Sequence, residues 1–207
     1  MAQFFTIHPQ NPQTRLVREA VGMLRHGGVI VYPTDSLHAL GCALDEKAAL
    51  ERMRAIREID ERHHLTLMCR DLADIGALAR LDDRAYRVLR DCTPGSYTFI
   101  LHAHRELPRR AQHSNRKTIG VRVPDHPVAK ALLDEMGGPL LSTSLLLPGD
   151  AEPMDDAQEI RRRLEHRVDL VIDAGSCGTE PTTVIDLTGD GPVVVREGKG
   201  DVRRFLR

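Results

Sequence analysis

The chain has 207 residues, with 29 Lys and Arg against 30 Asp and Glu, a formal charge of −1 and 41% hydrophobic content. This is the balance of an ordinary soluble globular protein. It excludes a uniformly basic nucleic-acid binder, and no apolar run approaches the roughly 18 residues of a membrane-spanning helix. Aromatic residues make up only 3% and tryptophan is absent, so the core must be aliphatic.

The N-terminal "MAQFFTIHPQNPQTR" has no charged segment leading into an apolar one, so no export signal is expected and the protein is placed in the cytoplasm. Cys42, Cys69, Cys92 and Cys177 are scattered and form no CxxC pair. Without paired spacing or an oxidising compartment they read as core thiols, with no disulfide framework and no metal site.

In chain order, residues 12–26 place Leu16, Val17, Ala20, Val21 and Leu24 on one helical face, stopped by Gly27 and Gly28. A buried strand follows at 29–32. Residues 45–59 form a second amphipathic helix with Asp45 as its expected N-cap. A short strand at 65–69 precedes two short helices, 71–81 and 82–92. Residues 96–103 alternate and are rich in β-branched side chains, so they read as a strand, as do 118–124.

A helix at 126–136 opens with Pro127 in its first turn, capped by His126. Then come a strand at 139–147, a helix at 156–166 and a strand at 168–175. The closing "TTVIDLTGDGPVVVREG" is a hairpin of two β-branched runs joined by "GDG". Alternating strands and helices predict an α/β fold: one domain over 1–207, with a single twisted mixed parallel and antiparallel sheet flanked by helices.

Several strand ends carry small oxygen-bearing residues: Thr34, Asp35 and Ser36; Thr93 and Ser96; Ser142, Thr143 and Ser144; Thr182 and Thr183. In open α/β sheets, such ends line the ligand crevice. Their hydroxyls could hold a phosphate or carboxylate with Arg122 and Arg196 as balancing charges, or could simply form turns and caps. Neither GxxxxGK[ST] nor a strand-following GxGxxG occurs, so any nucleotide is held by other means. The His63–His64 pair lacks a third ligand at metal spacing and reads as a solvated loop. The basic run 107–117, with four Arg or Lys residues, suits RNA phosphates or a solvated loop equally.

Six segments in order resemble the YrdC-like family, the L-threonylcarbamoyladenylate synthase superfamily. They are "YPTDSLHALGC", "TPGSYTFIL", "TIGVRVPDHP", "PLLSTSLLLPG", "PTTVIDLT" and "VVVREGKG", spread over nearly the whole chain. The resemblance implies a YrdC/RibB-like fold with a large concave cleft. It also implies synthesis of threonylcarbamoyl-adenylate from L-threonine, bicarbonate and ATP with Mg²⁺, for the t6A modification of tRNA.

Carried over residue by residue, Thr34, Asp35, Arg122, Ser142, Ser144 and Thr182 would bind substrate. Arg57, Ser144 and Arg196 would face the nucleotide. No residue is assigned a nucleophilic role, because the family's catalysis is one of positioning.

The departures are specific. The family's KxR pair reads Arg57-Glu58-Ile59, with Arg62 nearby, and its Ser-x-Asn reads Ser144-Leu145-Leu146. Met68 and His38 replace a histidine and a tyrosine. This pattern is similar to the YciO branch and implies a weakened grip on triphosphate. The alternative it leaves open is a paralogue that binds double-stranded RNA or tRNA with little synthase activity.

Overall fold

The computed structural model describes residues 1–205. Ten strands join in a single mixed sheet in the order β1-β8-β2-β3-β7-β4-β6-β5-β9-β10. The strands are β1 (Gln3–Thr6), β2 (Ile30–Tyr32), β3 (Ala39–Ala43), β4 (Thr66–Met68), β5 (Tyr97–His102), β6 (Thr118–Arg122), β7 (Leu140–Ser144), β8 (Leu170–Asp173), β9 (Thr183–Asp186) and β10 (Val193–Arg196). The helices are α1 (Thr14–Arg25), α2 (Lys47–Arg57), α3 (Leu72–Leu78), α4 (Asp83–Cys92), α5 (Pro127–Met136) and α6 (Ala157–Leu164).

All the strands expected from the sequence lie in this sheet, and the β9–β10 hairpin is antiparallel. His126 caps α5, its Nδ1 accepting from the Val128 N–H at 3.2 Å. Two strands were not expected. β1 is a four-residue edge strand parallel to β8, and β3, "ALGCA", is fully buried. The expected cap of the second helix is also corrected: Glu46 precedes α2 and no side chain caps it. The strand at 139–147 ends at Ser144, where the backbone turns away to bury Leu145. No helix among the described residues is long and apolar enough to cross a membrane.

Strand alternation sends side chains to two faces. Val31, Leu40, Leu67, Phe99, Val121, Leu141, Val171 and Ile185 form one face, in a single core with the buried sides of α2, α4 and α6. On the other face Ile30, Tyr32, Met68, Leu140, Leu170 and Ile172 pack against α1 and α5. That helix pair covers only part of the face. Beyond Met68 the same face continues through its β6 partner Arg122, and alongside run Thr66, paired to Ser142 and Gly120. This stretch is polar, and no helical residue lines the recesses above it.

The Tyr32 ring lies across β3 and donates its hydroxyl to Ser142 at 2.9 Å. A Cβ on Gly41 would stand 2.7 Å from the ring. Gly41→Ala should therefore lower the unfolding free energy in urea by about 1–3 kcal/mol through overpacking. Gly76→Ala, on exposed α3 with nothing within 4 Å of the new carbon, should stabilise by up to about 1 kcal/mol.

Candidate functional site

The loop between β2 and β3 carries Thr34-Asp35-Ser36. Thr34 is 1% exposed. Its hydroxyl donates to the Leu37 carbonyl at 2.6 Å and accepts from the N–H groups of Ser36 and Leu37, each at 3.2 Å. It is thus the closing bond of a tight turn. Asp35 points the other way, towards β6. One carboxylate oxygen receives Arg122 Nη2 at 2.5 Å and the Asp125 N–H at 3.0 Å. The other receives the Ser96 hydroxyl at 2.7 Å. Burial opposes the Asp35 charge, but Arg122, Ser96 and the Asp125 amide outweigh it and hold the carboxyl below its ordinary value of 3.8.

Arg122 is 6% exposed and also donates from Nη1 to Ser36 at 2.9 Å. Its Nε is buried and finds no acceptor among the described residues. Burial lowers its pKa, against the pull of Asp35. Above it lies a small pocket of about 30 Å³, room for one or two waters. Thr34, Ser36, His38, Thr98, Arg122, Ser142, Ser144 and Thr182 all contribute to its wall.

Thr66, Thr98, Thr143, Ser144 and Thr182 also line a second recess of about 350 Å³. Its far side is formed by Arg62, His63, His64 and Arg196, with Ile100, Val184 and Val195 as apolar surface. Gly120 is part of the lining, where a Cβ would meet the Leu65 carbonyl at 2.9 Å and Thr66 Oγ1 at 3.1 Å.

The structure therefore brings Thr34, Arg122, Ser142, Ser144 and Thr182 to one pocket, and Ser144, Thr182 and Arg196 to the adjoining recess. Asp35 stands behind Arg122 and lines neither. Ser142 is fully engaged, accepting from Tyr32 and donating to the Leu40 carbonyl at 3.0 Å. Thr182 bonds Thr98 at 2.9 Å, and its carbonyl accepts from Arg196 at 2.9 and 3.2 Å.

Arg57 lines neither recess. Its Nε is buried without a partner among the described residues, and its charge, after burial, helps depress the His63 pKa. Glu58 takes a left-handed conformation (φ 51°) and Ile59 donates back to the Arg54 carbonyl at 3.1 Å. This Schellman ending packs the half-buried Ile59 against the edge of the core. The position of the family's second cation is filled by packing.

Sequence reasoning set aside His63 and His64, which the structure places on the recess wall. His64 bonds Thr118 at 2.9 Å, and burial, with His113 and Arg116 nearby, pushes its pKa down to about 4. It is neutral near pH 7. Two members of the basic run are tied to the protein itself, Arg110 to the Asp45 carbonyl at 2.8 Å and Arg116 to Asp186 at 4.0 Å. Cys42, Cys69 and Cys92 are buried as expected, but Cys177 is only half-buried and stands against His38 and Asp155.

The chain belongs to the Sua5/YciO/YrdC family, whose model, described as telomere recombination, matches residues 22–198. It is 55% identical to YciO of Escherichia coli K12 over all of both chains, and superposes on the E. coli YciO crystal structure with a TM-score of 0.96 over all of both chains. It is 35% identical to the threonylcarbamoyl-AMP synthase of Halorhodospira halophila, covering 82% of this chain and 89% of that one. The crystal structure of P. abyssi Sua5 complexed with L-threonine shares the fold at 23% identity, with a TM-score of 0.86 over 94% of this chain and 57% of that one.

The depressed pKa of Asp35 has a sign. Its ion pair contributes stability in full above the ordinary value of 3.8 and loses it as pH falls through the lower folded value. Asp35→Asn leaves Arg122 uncompensated and should destabilise by about 3–5 kcal/mol near neutrality. Urea unfolding as a function of pH should show that deficit shrinking below about pH 4 as the wild-type carboxylate protonates. A deficit independent of pH would mean the pair does not carry it.

Proposed function

We propose that the protein binds L-threonine and ATP in these adjoining recesses and forms threonylcarbamoyl-adenylate from them with bicarbonate. The observation that carries this reading is the buried Arg122 guanidinium, whose Nε finds no acceptor among the described residues and which lines a pocket of Ser and Thr hydroxyls. An unpartnered buried donor is costly, and a carboxylate satisfies it with a charge-assisted bond. The relationship to a threonylcarbamoyl-AMP synthase at 35% identity supports the choice of threonine.

In this scheme only the threonine carboxylate enters the small pocket beside Arg122, and the amine, in the larger recess, attacks bicarbonate with loss of water to give the N-carboxylate (carbamate). Arg62 and Arg196 draw in the phosphates of Mg²⁺-ATP, and Ile100, Val184 and Val195 offer apolar surface to the nucleoside. The carbamate oxygen attacks the α-phosphorus, the α–β bridge breaks and pyrophosphate leaves. Catalysis comes from alignment and from guanidinium charge near the departing oxyanion. With an apolar Ile59 packed against the core and Arg57 outside the recess lining, the phosphates meet fewer cations than the sequence motif of the synthases offers. Turnover is accordingly slow.

The test is pyrophosphate release measured with ATP, L-threonine and bicarbonate supplied together and with each omitted in turn. Release should need all three. Arg196→Ala should raise the KM for ATP about 10–100-fold, the loss of one charge-assisted contact, while Arg122→Lys should act on the KM for threonine. No ATP binding by calorimetry and no release would overturn the reading. If tRNA or double-stranded RNA then binds with a steep salt dependence, an RNA-binding module takes its place.

A further inference from the structure

His38, Asp155 and Cys177 come from three separate loops: the end of the β2–β3 connection, the approach to α6, and the turn after β8. One donor atom from each lies within 4.8 Å of the other two. Cys177 Sγ is 3.1 Å from His38 Nδ1 and Asp155 Oδ1 is 3.7 Å from the same nitrogen.

The carboxylate is held in place. Its Oδ1 accepts from the N–H groups of Cys177 and Gly178 at 2.8 and 3.0 Å, and its Oδ2 accepts from the Ser176 hydroxyl. Gly178 has φ +92°, a conformation glycine adopts freely, so the turn that aims both amides at Asp155 is built into the sequence. His38 is 0% exposed and its Nε2 finds no partner among the described residues.

Two chemistries use such a trio. A nucleophilic relay needs the thiol on one ring nitrogen and the carboxylate on the other, so that the imidazole passes a proton between them. Here thiol and carboxylate both converge on Nδ1. Convergence on one point is the geometry of coordination. Tetrahedral zinc with bonds of about 2.3 Å to sulfur and 2.0–2.2 Å to nitrogen and oxygen sets ligand atoms about 3.4–3.6 Å apart. The observed separations from His38 Nδ1, 3.1 and 3.7 Å, bracket that span, and the third, between thiol and carboxylate, is no more than 4.8 Å.

The charge also suits a cation. Asp155 and Asp173 both act on His38, and the neighbouring Arg122 is already paired with Asp35. A thiolate and a carboxylate would neutralise a divalent ion. Mixed sulfur, nitrogen and oxygen donors favour zinc over calcium or magnesium. The small pocket that His38 lines has room for a water to accept from Nε2–H.

We propose that His38, Asp155 and Cys177 form a binding site for a thiophilic divalent ion, zinc, with a fourth position open to water. Bound there, zinc would clamp the turn after β8 and the residues before α6 to the loop that positions Thr34, Asp35 and Ser36. The site stands on its own geometry and does not depend on the reaction proposed above.

Cobalt(II) reads it out directly. The full chain, purified under reducing conditions and stripped with a chelator, is titrated with Co²⁺. One equivalent should produce a thiolate-to-cobalt charge-transfer band and the strong visible bands of tetrahedral coordination, both erased by one equivalent of Zn²⁺. Cys177→Ser should remove the charge-transfer band, and Cys92→Ser should leave it unchanged. Ser176→Ala keeps all three ligands and both amide bonds to Asp155 but removes the hydroxyl that holds its Oδ2, so it should weaken cobalt binding about 10-fold even if His38 variants fold poorly. A spectrum that remains that of the hydrated ion, or a charge-transfer band that survives Cys177→Ser, would overturn the proposal.

Discussion

The ion pair between Asp35 and Arg122 is the constraint on which the candidate site depends. It joins the β2–β3 loop to the end of β6, with side chains 12% and 7% exposed. Removing two charges from water costs several kcal/mol each, and attraction alone rarely repays it. The balance is closed by neighbours. Asp35 also takes the Ser96 hydroxyl and the Asp125 amide, and Lys199 donates to its backbone carbonyl at 2.5 Å. Three segments far apart in sequence, around Ser96, Arg122–Asp125 and Lys199, are thereby drawn to one loop. Asp35 and Ser36 each take one N–H from an Nη group of Arg122, and its Nε finds no acceptor among the described residues.

The sheet explains why that donor has somewhere to face. Helices α2, α4 and α6 join the core of one whole face, while α1 and α5 cover the other only as far as Met68. Past Met68 the inward positions change from aliphatic to Ser, Thr, Gly and Arg, and the lining of the recesses comes from strands and loops. The polar strip is where a buried sheet would be destabilised, and it is where a polar ligand finds hydroxyls already positioned. Stability and recognition are thus separated along a single face.

Much of this was legible in the sequence. Helical spacing marked α1, α2 and α5 because each buries one stripe of aliphatic residues, and period-two alternation marked β5 and β6. β3 was not legible: Gly41 is small because the Tyr32 ring crosses the strand there, and with Ala39 and Ala43 it leaves a run of small residues that carries no alternation signal. Of the residues the strand ends pointed to, Thr34, Arg122, Ser142, Ser144 and Thr182 line one pocket, while Asp35, Thr93, Ser96 and Thr183 do not. Strand ends did not distinguish a hydroxyl consumed in a turn, as in Thr34, from one facing open space, as in Ser144. The family pattern placed a cation pair at Arg57 to Ile59, yet a helix ending with Glu58 in the left-handed region packs Ile59, half-buried, against the core. The cluster of His38, Asp155 and Cys177 was invisible, since His38 lies more than a hundred residues before the other two and the three meet only once the sheet has formed.

The most direct test of the account is the NMR signal of the Arg122 Nε–H group, observed while L-threonine is added to ¹⁵N-labelled protein. Because that donor is buried without an acceptor, a carboxylate entering the pocket should move its resonance and slow its exchange with water. L-threonine methyl ester, which lacks the charge, should not. Threonine binding that perturbs other residues while the Arg122 Nε signal stays still would contradict the claim that this guanidinium is the receptor of the site.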